Sequence, residues 1–148
     1  MKRKTVKVAT LDTTFSLAIR EQHDYICANP HCTYCGNYSL REGGAECSHH
    51  YPRHHSAGRW HPDNCVCLCH EFHSELDQSP QIVQARFMTA QLGEPRFEML
   101  MKRFHGTRKY MPHDRWEMNQ HYRAQTKHMA RLRVEHNEVG YLPIVSWD

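Results

Sequence analysis

Apolar residues recur at helical spacing in four separate stretches of the chain. In the first, Phe15, Ala18 and Ile19 fall on one face of a predicted helix, and Asp12 suits its N-cap. Three more helices are predicted downstream, over 79–93, 94–106 and 113–138. The last of them is longer and more polar, and an apolar tail, GYLPIVSWD, follows it. Helices therefore frame the chain on both sides of its middle.

The middle of the chain has a different pattern, with short strands in place of helical periods. GGAECSHHY reads as a turn leading into one strand, and DNCVCL reads as a second strand. The residues between them, 52–62, are too rich in Pro, Gly and charge for regular structure. A helix is predicted to start at CHEFHSELD, directly after the second strand. This order of strand, long loop, strand and helix within a helical frame predicts an α+β fold.

Length and composition favour one small domain with a thin core. The chain has 148 residues, of which 39% are apolar, and its mean hydropathy is −0.80. A core this lean often depends on a bound metal or on oligomer formation, so a homodimer is one form that support could take. No apolar run could span a membrane, and the basic start, MKRKTVKVAT, lacks the apolar stretch of a signal peptide. We therefore expect a cytoplasmic protein without a membrane partner.

Seven cysteines in a reducing compartment indicate a metal site better than a disulfide framework. Cys32 and Cys35 form a C-x2-C pair, a spacing that lets two thiolates take adjacent corners of a zinc tetrahedron. Cys69 is the natural distant ligand, and Cys27 could complete a four-thiolate structural Zn²⁺ site. The competitors for the last corner are Cys47, Cys65 and Cys67.

A second set of side chains offers nitrogen and oxygen ligands. His49 or His50 ends the first strand, Asn64 lies on the second, and His73 follows Cys69 by one helical turn. On such a hairpin these side chains could converge on one divalent ion, such as Mg²⁺ or Mn²⁺, and leave positions for water. A histidine left unligated could deprotonate an attacking water, because its pKa lies near neutral pH.

Positive charge is concentrated where it could meet phosphates. Residues 1–8 hold four basic side chains and no acid. Residues 102–133 hold nine basic and two acidic side chains, so nine minus two gives a net charge of +7. Such clusters suit nucleic acid, although a solvated helix face would look the same. In the loop between the strands, Arg53 and Arg59 could hold a phosphate through two-pronged hydrogen bonds.

These motifs together resemble the HNH, or ββα-metal, nucleases. DNCVCLCHEFH is similar to that family's Asn-bearing strand and the Cys- and His-bearing helix that follows it. FSLAIR at 15–20, SH at 48–49 and RWHPDN at 59–64 are similar to motifs of the NinG-like recombination endonucleases of phages and prophages. The resemblance spans roughly residues 11–104, about two thirds of the chain.

The resemblance implies a small ββα-metal finger with a zinc-binding cysteine loop, surrounded by helices. It implies His49 as the general base, Asn64 as a metal ligand or loop-fixing residue, and His73 as a ligand of one catalytic divalent ion. If His49 takes the metal-binding position instead, His50 becomes the base. Phe72 stands where the family has its second helix cysteine, which is why Cys27 is recruited to the zinc site.

The implied function is metal-dependent hydrolysis of DNA to 5′-phosphate and 3′-hydroxyl ends, in recombination or DNA processing within a phage-infected or lysogenic bacterial host. Residues 1–106 would form the nuclease domain, and 107–148 a basic helical extension with an apolar tail. Arg59 would orient the phosphate at the catalytic site. The alternative is a zinc-stabilised DNA-binding or adaptor protein without catalysis. The side chains expected to contact DNA are Arg20, Arg53, Arg59, Lys102, Arg103, Arg108 and Lys109.

Overall fold

The computed structural model describes residues 1–148 and has an α+β architecture, as the sequence pattern predicted. Six helices surround one two-stranded antiparallel sheet. In chain order the elements are α1 Val8–Gln22, β1 Ala45–His49, α2 Ser56–Arg59, β2 Cys65–Cys69, α3 His70–Gln78, α4 Gln81–Leu92, α5 Glu94–Phe104 and α6 Pro112–His136. A short 3₁₀ turn, Pro62–Asn64, leads into β2.

The register of the hairpin decides which side chains can meet. Ala45 lies opposite Cys69 and His49 lies opposite Cys65, so the two strands are matched along their whole length. Successive side chains of a strand point to opposite faces of the sheet. One face, called the α3 face, therefore carries Glu46, Ser48, Val66 and Leu68. The other, called the α1 face, carries Cys47, His49, Cys65 and Cys67.

A first core joins the N-terminal and C-terminal helices to the α1 face of the hairpin. Phe15 of α1 packs edge-on against Tyr122 of α6, with ring centroids 5.0 Å apart. The Tyr122 hydroxyl donates a hydrogen bond to the carbonyl oxygen of Trp60 at 2.6 Å, so its burial leaves no polar group unpaired. The buried members of this core are Leu11, Phe15, Ala18, Ile19, Trp60, Cys65, Tyr110, Met118, Tyr122, Met129 and Ile144.

A second core lies on the α3 face and holds the helical hairpin of α4 and α5 against the sheet. Its buried apolar members are Val66, Leu68, Leu76, Met88, Phe97 and Leu100. Cys27, Cys32 and Cys69 belong to the same cluster, so the cysteine loop packs directly against this core. The sheet thus separates two cores, and side chains on its two faces have different surroundings.

The C-terminal segment is part of the first core. After α6 the chain turns back, and the backbone amide of Leu142 donates to the carbonyl oxygen of Gln22 at 2.8 Å. At the end of the chain, a carboxylate oxygen of Asp148 accepts a hydrogen bond from the Tyr110 hydroxyl at 2.9 Å, and the other pairs with Arg103. The sequence-based boundary near residue 106 therefore divides two segments that share one core.

Local details differ from the sequence-based expectations in two places. Helix α1 begins at Val8, so Asp12 lies inside the helix and does not cap it. The 52–62 loop, expected to be irregular, contains the short helix α2 and the start of the 3₁₀ turn. None of the helices combines the length and the apolar character that crossing a membrane requires.

Candidate functional site

Four cysteine sulfurs converge beside the second core. The Sγ atoms of Cys27, Cys32, Cys35 and Cys69 all lie within 4.8 Å of one another, and those of Cys32 and Cys69 are 3.6 Å apart. A tetrahedral zinc with Zn–S bonds of about 2.3 Å separates its sulfurs by about 3.8 Å, so the observed spacing fits such an ion. This is the set that the sequence predicted, and it could hold a structural zinc.

Hydrogen bonds to backbone carbonyl oxygens hold the cysteine loop in this shape. Asn37, which has a left-handed backbone with φ of 58°, donates through its side chain to the carbonyl oxygens of Cys27 at 3.2 Å and Asn29 at 2.7 Å. The amide of Ala28 donates to the carbonyl oxygen of Cys67 at 2.8 Å, which fastens the loop to β2. The loop therefore presents Cys27 to the end of β2, where Cys69 stands.

Burial and backbone N–H groups set the protonation of these thiols in opposite directions. Burial raises the pKa of Cys27 to about 11 and also raises the pKa of Cys69. Burial would raise the pKa of Cys32 as well, but N–H groups in the C-x2-C turn donate to its sulfur and lower that pKa overall. A zinc ion would hold all four as thiolates, so metal binding at this site would release protons.

Phe72 packs against the second core and is not part of the cysteine cluster. Its ring packs edge-on against Phe87 of α4, with centroids 5.4 Å apart, and so helps to fix α3 on the second core. The fourth corner of the tetrad comes from Cys27, which precedes the C-x2-C pair. Cys47, Cys65 and Cys67, the competitors considered from the sequence, are not members of this cluster.

His73 lies on α3 between two carboxylates. Its Nδ1 is 3.6 Å from Oε2 of Glu46, and its Nε2 is 3.3 Å from Oδ2 of Asp77. His70 also reaches Glu46, with 2.8 Å between Nδ1 and Oε1. Imidazole nitrogen and carboxylate oxygen together are suitable ligands for a divalent ion. Sequence reasoning missed Glu46 and Asp77, although the four-residue spacing from His73 to Asp77 was a readable signal.

His49 lies on the α1 face, away from His73. Its ring lies against Phe15 with centroids 6.3 Å apart, and its Nε2 is 3.0 Å from the carbonyl oxygen of Arg59. Because a carbonyl only accepts, Nε2 carries the proton. Burial is the main reason that the pKa of His49 is lowered, and it outweighs the hydrogen bond to Arg59.

His50 lies on the α3 face. Its backbone amide donates to the carbonyl oxygen of Asn64 at 2.8 Å, which extends the ladder by one residue and preserves the alternation of faces. Its ring packs edge-on against Phe97 of the second core at 5.4 Å. The ring also lines an open cavity of about 510 Å³ between the 51–55 loop, α4 and α5. Burial lowers the pKa of His50, which keeps the imidazole neutral near pH 7.

Asn64 is completely buried, and its side-chain amide forms hydrogen bonds with backbone groups. Its Oδ1 accepts from the amide of Tyr51 at 2.8 Å, and its Nδ2 donates to the carbonyl oxygens of Tyr51 at 3.0 Å and Gly58 at 3.2 Å. Of the two roles expected for Asn64, this geometry matches loop fixing. The side chain closes the 51–64 loop on itself.

His49, Asn64 and His73 therefore do not meet around one point in this structure. His73 contacts Glu46 on the α3 face, His49 packs on Phe15 on the opposite face, and Asn64 is enclosed by backbone. The physical reason is the two-residue period of a strand, which sends neighbouring side chains to opposite sides of a sheet. Of the adjacent histidines, His50 is the one that shares a face with His73.

Three of the seven side chains expected to contact DNA are held in internal ion pairs. Arg59 makes a two-pronged contact with Asp12, at 3.0 Å from Nε and 2.6 Å from Nη2. Arg103 and Arg108 both pair with Asp148. Burial would raise the pKa of Asp12, but the hydrogen bonds from Arg59 and Trp60 outweigh burial and lower that pKa. The side chains that form no ion pair are Arg20, Arg53, Lys102 and Lys109.

No protein-family model, curated protein or solved structure significantly matches this chain. The similarity to HNH nucleases therefore rests on short motifs and on the order of the elements that carry them.

Proposed function

We propose that this protein is a divalent-metal-dependent endonuclease of the HNH type that hydrolyses DNA phosphodiester bonds. The observation that supports it is the hairpin running directly into α3, with His50 and His73 on the same face and two carboxylates beside His73. A histidine free to accept a proton and a histidine–carboxylate set suited to a divalent ion are the two parts that metal-assisted phosphodiester hydrolysis needs.

The residues that would hold the catalytic ion are His73, Glu46 and Asp77, which replaces the earlier expectation of Asn64 as a ligand. A divalent ion there would supply positive charge that stabilises the phosphate as negative charge develops on it. The contacts that these side chains now make with one another would give way to metal ligation. Zinc at the cysteine tetrad would be structural and would hold the cysteine loop against the end of β2 and the start of α3.

Of the two adjacent histidines, His50 is the one on the α3 face, so we assign it the role of general base. It is neutral near pH 7 because burial lowers its pKa, so it can take a proton from water attacking a phosphate on the α3 face. The exposed side chains of Arg53 and Lys102 have no acidic partner and are free to neutralise phosphates. Arg59, fixed by Asp12, would instead position the loop that carries Arg53, whose carbonyl oxygen it contacts at 3.3 Å.

Plasmid nicking with single histidine variants tests this proposal. With Mg²⁺, Mn²⁺ or Ni²⁺ present, His50→Ala and His73→Ala should each lower the nicking rate by about 100-fold or more, while DNA binding is kept. His128→Ala removes an exposed histidine of α6 and is the matched control with wild-type rates. A wild-type protein that cuts no linear, nicked or branched DNA with any of these ions would overturn the proposal.

The alternative, a zinc-stabilised DNA-binding protein without catalysis, is favoured by one observation. The three side chains of the expected HNH centre lie apart, while four basic side chains remain unpaired at positions expected to contact DNA. Its signature in the same assay is salt-sensitive DNA binding without cleavage, and binding that is unchanged in both histidine variants.

A further inference from the structure

Three metal-ligating side chains that the proposed function does not use lie together on the α1 face. One ligand atom from each of Cys47, His49 and Cys65 lies within 4.8 Å of the other two. His49 is directly opposite Cys65 in the register, and Cys47 is diagonal to it on the same face. We propose that these three residues form a second zinc site, separate from the cysteine tetrad.

The protonation of His49 suits it to this role. Its Nε2–H donates to the carbonyl oxygen of Arg59 at 3.0 Å, which leaves the lone pair of Nδ1 free to bind a metal. Metal-binding histidines commonly donate their other ring N–H to a backbone carbonyl, because that bond fixes the tautomer and the ring orientation. The ring is also held against Phe15 of α1, so it is oriented before any ion arrives.

The donor set and its spacing select the ion. Two thiolates and one imidazole are ligands that zinc prefers, and hard ions such as Mg²⁺ do not bind them well. In a tetrahedral zinc site two sulfurs lie about 3.8 Å apart and a sulfur and a nitrogen about 3.6 Å apart. Both distances fall inside the 4.8 Å limit observed for the trio. Three protein ligands leave the fourth position for a water molecule.

Burial of Cys65 affects how the trio would bind an ion. Cys65 is 3% exposed, and burial together with the neighbouring thiol of Cys47 raises its pKa. Zinc binding would therefore have to displace the proton of Cys65. Zinc there would cross-link β1 to β2 at the end of the hairpin from which the 50–62 loop departs, and it would occupy His49 as a ligand.

The trio and the tetrad are two sites and not one. The tetrad uses Cys69 at one end of β2, and the trio uses Cys65 at the other end. Four residues of extended strand separate these positions by about 13 Å. Cys67 lies between them, completely buried, and belongs to neither cluster.

Counting zinc in the full-length chain tests the inference. The protein is purified under a thiol-free reductant with added Zn²⁺, excess metal is removed by gel filtration, and zinc is measured by inductively coupled plasma mass spectrometry. We expect two zinc ions per wild-type chain, one in the Cys47→Ala/Cys65→Ala variant and two in the Cys67→Ala variant. A wild-type chain with one zinc ion or none, or a double variant that binds as much zinc as wild type, would overturn the inference.

X-ray absorption at the zinc edge of the wild-type protein makes the same test without relying on the folding of a variant. Two occupied sites give six sulfur ligands and one imidazole shared between two ions, whereas the tetrad alone gives a pure sulfur environment. The imidazole signal should disappear in His49→Ala; a pure sulfur spectrum in wild type, or an unchanged signal in that variant, contradicts the second site. Neither measurement uses DNA, so the result is independent of whether the proposed nuclease activity exists.

Discussion

At the scale of single residues, Asn64 fixes the shape of the loop between the two strands. It is completely buried and makes three hydrogen bonds to the backbone of the 51–58 loop. Asn64→Ala would leave the amide and the carbonyl oxygen of Tyr51 without their partner, whereas the carbonyl oxygen of Gly58 keeps its bond from the amide of His61. Each unpaired buried group costs about 1–3 kcal/mol. We expect urea denaturation to show a loss of about 3 kcal/mol in the free energy of unfolding.

Asn64→Asp provides the matched comparison. It keeps the oxygen that accepts from Tyr51 but replaces the Nδ2 donor with a carboxylate oxygen that faces two carbonyls. It should therefore also destabilise the protein, and it should do so more at neutral pH than at pH 4.5, where the carboxyl group can donate a proton. A free energy of unfolding within about 0.5 kcal/mol of wild type for Asn64→Ala would show that the loop does not depend on this side chain.

His23 makes stability depend on pH. Its ring lies edge-on to Tyr141 with centroids 5.3 Å apart, and burial lowers its pKa to about 4 from the ordinary 6.5. Below pH 6.5 the unfolded chain therefore binds a proton at His23 that the folded chain does not bind. The stabilising contribution is fully present above that pH, and stability falls as the pH drops towards 4. Between pH 6.5 and 5.5 the loss should be about 1 kcal/mol.

Urea denaturation of His23→Gln and wild type at these two pH values isolates this contribution. Other groups titrate in both proteins, so the informative quantity is the difference between their pH slopes. His128→Gln, which removes an exposed histidine, should keep the wild-type slope. Equal slopes in wild type and His23→Gln would mean that His23 is protonated without cost in the folded state.

Residue chemistry could be predicted from the sequence where spacing along the chain settles it. The C-x2-C pair with Cys27 and Cys69 is such a case, and the structure brings those four sulfurs together. The choice between His49 and His50 depended on strand register, and the sequence left it open. Glu46 was missed because only the paired hairpin brings it beside His73.

At the scale of elements, the order of strands and helices could be predicted from the sequence. The tertiary contacts that hold the short elements in place could not. The strand–loop–strand–helix order has strong local signals. Helix α2 was missed because four residues cannot form a stable helix alone. It is held from outside, by Arg103 donating to the carbonyl oxygen of Ala57 at 2.7 Å and by Ser56 donating to that of Arg108 at 2.8 Å.

Zinc removal should loosen the cysteine loop before it affects α6. The loop packs against the second core through its cysteines, and its attachment to β2 depends on one backbone bond, from Ala28 to Cys67, and on the sulfur cluster. Amide exchange followed by mass spectrometry should show exchange across residues 27–37 rising about tenfold or more on zinc chelation, with α6 protected. Cys32→Ala/Cys35→Ala should reproduce this without a chelator. Unchanged exchange in both experiments would mean that the loop is held by its backbone bonds alone.

At the scale of the whole molecule, the N-terminal and C-terminal segments pack together in the first core. Helix α6 lies along α1, and the tail returns past Gln22. Asp148 pairs with Arg103 of α5 and with Arg108, which follows that helix. These ion pairs take two of the expected phosphate contacts out of use and leave Lys102 and Lys109 exposed nearby. The sequence alone could show the clustering of positive charge, but the acid that neutralises part of it is the last residue of the chain.

Truncation after Gly106 tests whether the C-terminal segment is an appendage or part of the fold. Residues 1–106 would lose Met118, Tyr122 and Met129, which are at most 2% exposed and cover Leu11 and Phe15. Each such side chain contributes about 1.5–3 kcal/mol through burial, and a whole domain is stable by only about 5–15 kcal/mol. The truncated chain should therefore show no cooperative thermal transition by circular dichroism, even with zinc at the tetrad.

Tyr122→Phe, which removes only the hydroxyl bonded to Trp60, should cost about 1 kcal/mol and keep a cooperative transition. A truncated chain that melts cooperatively near the wild-type temperature would instead establish residues 1–106 as an independent domain, because the first core would then be complete without α6.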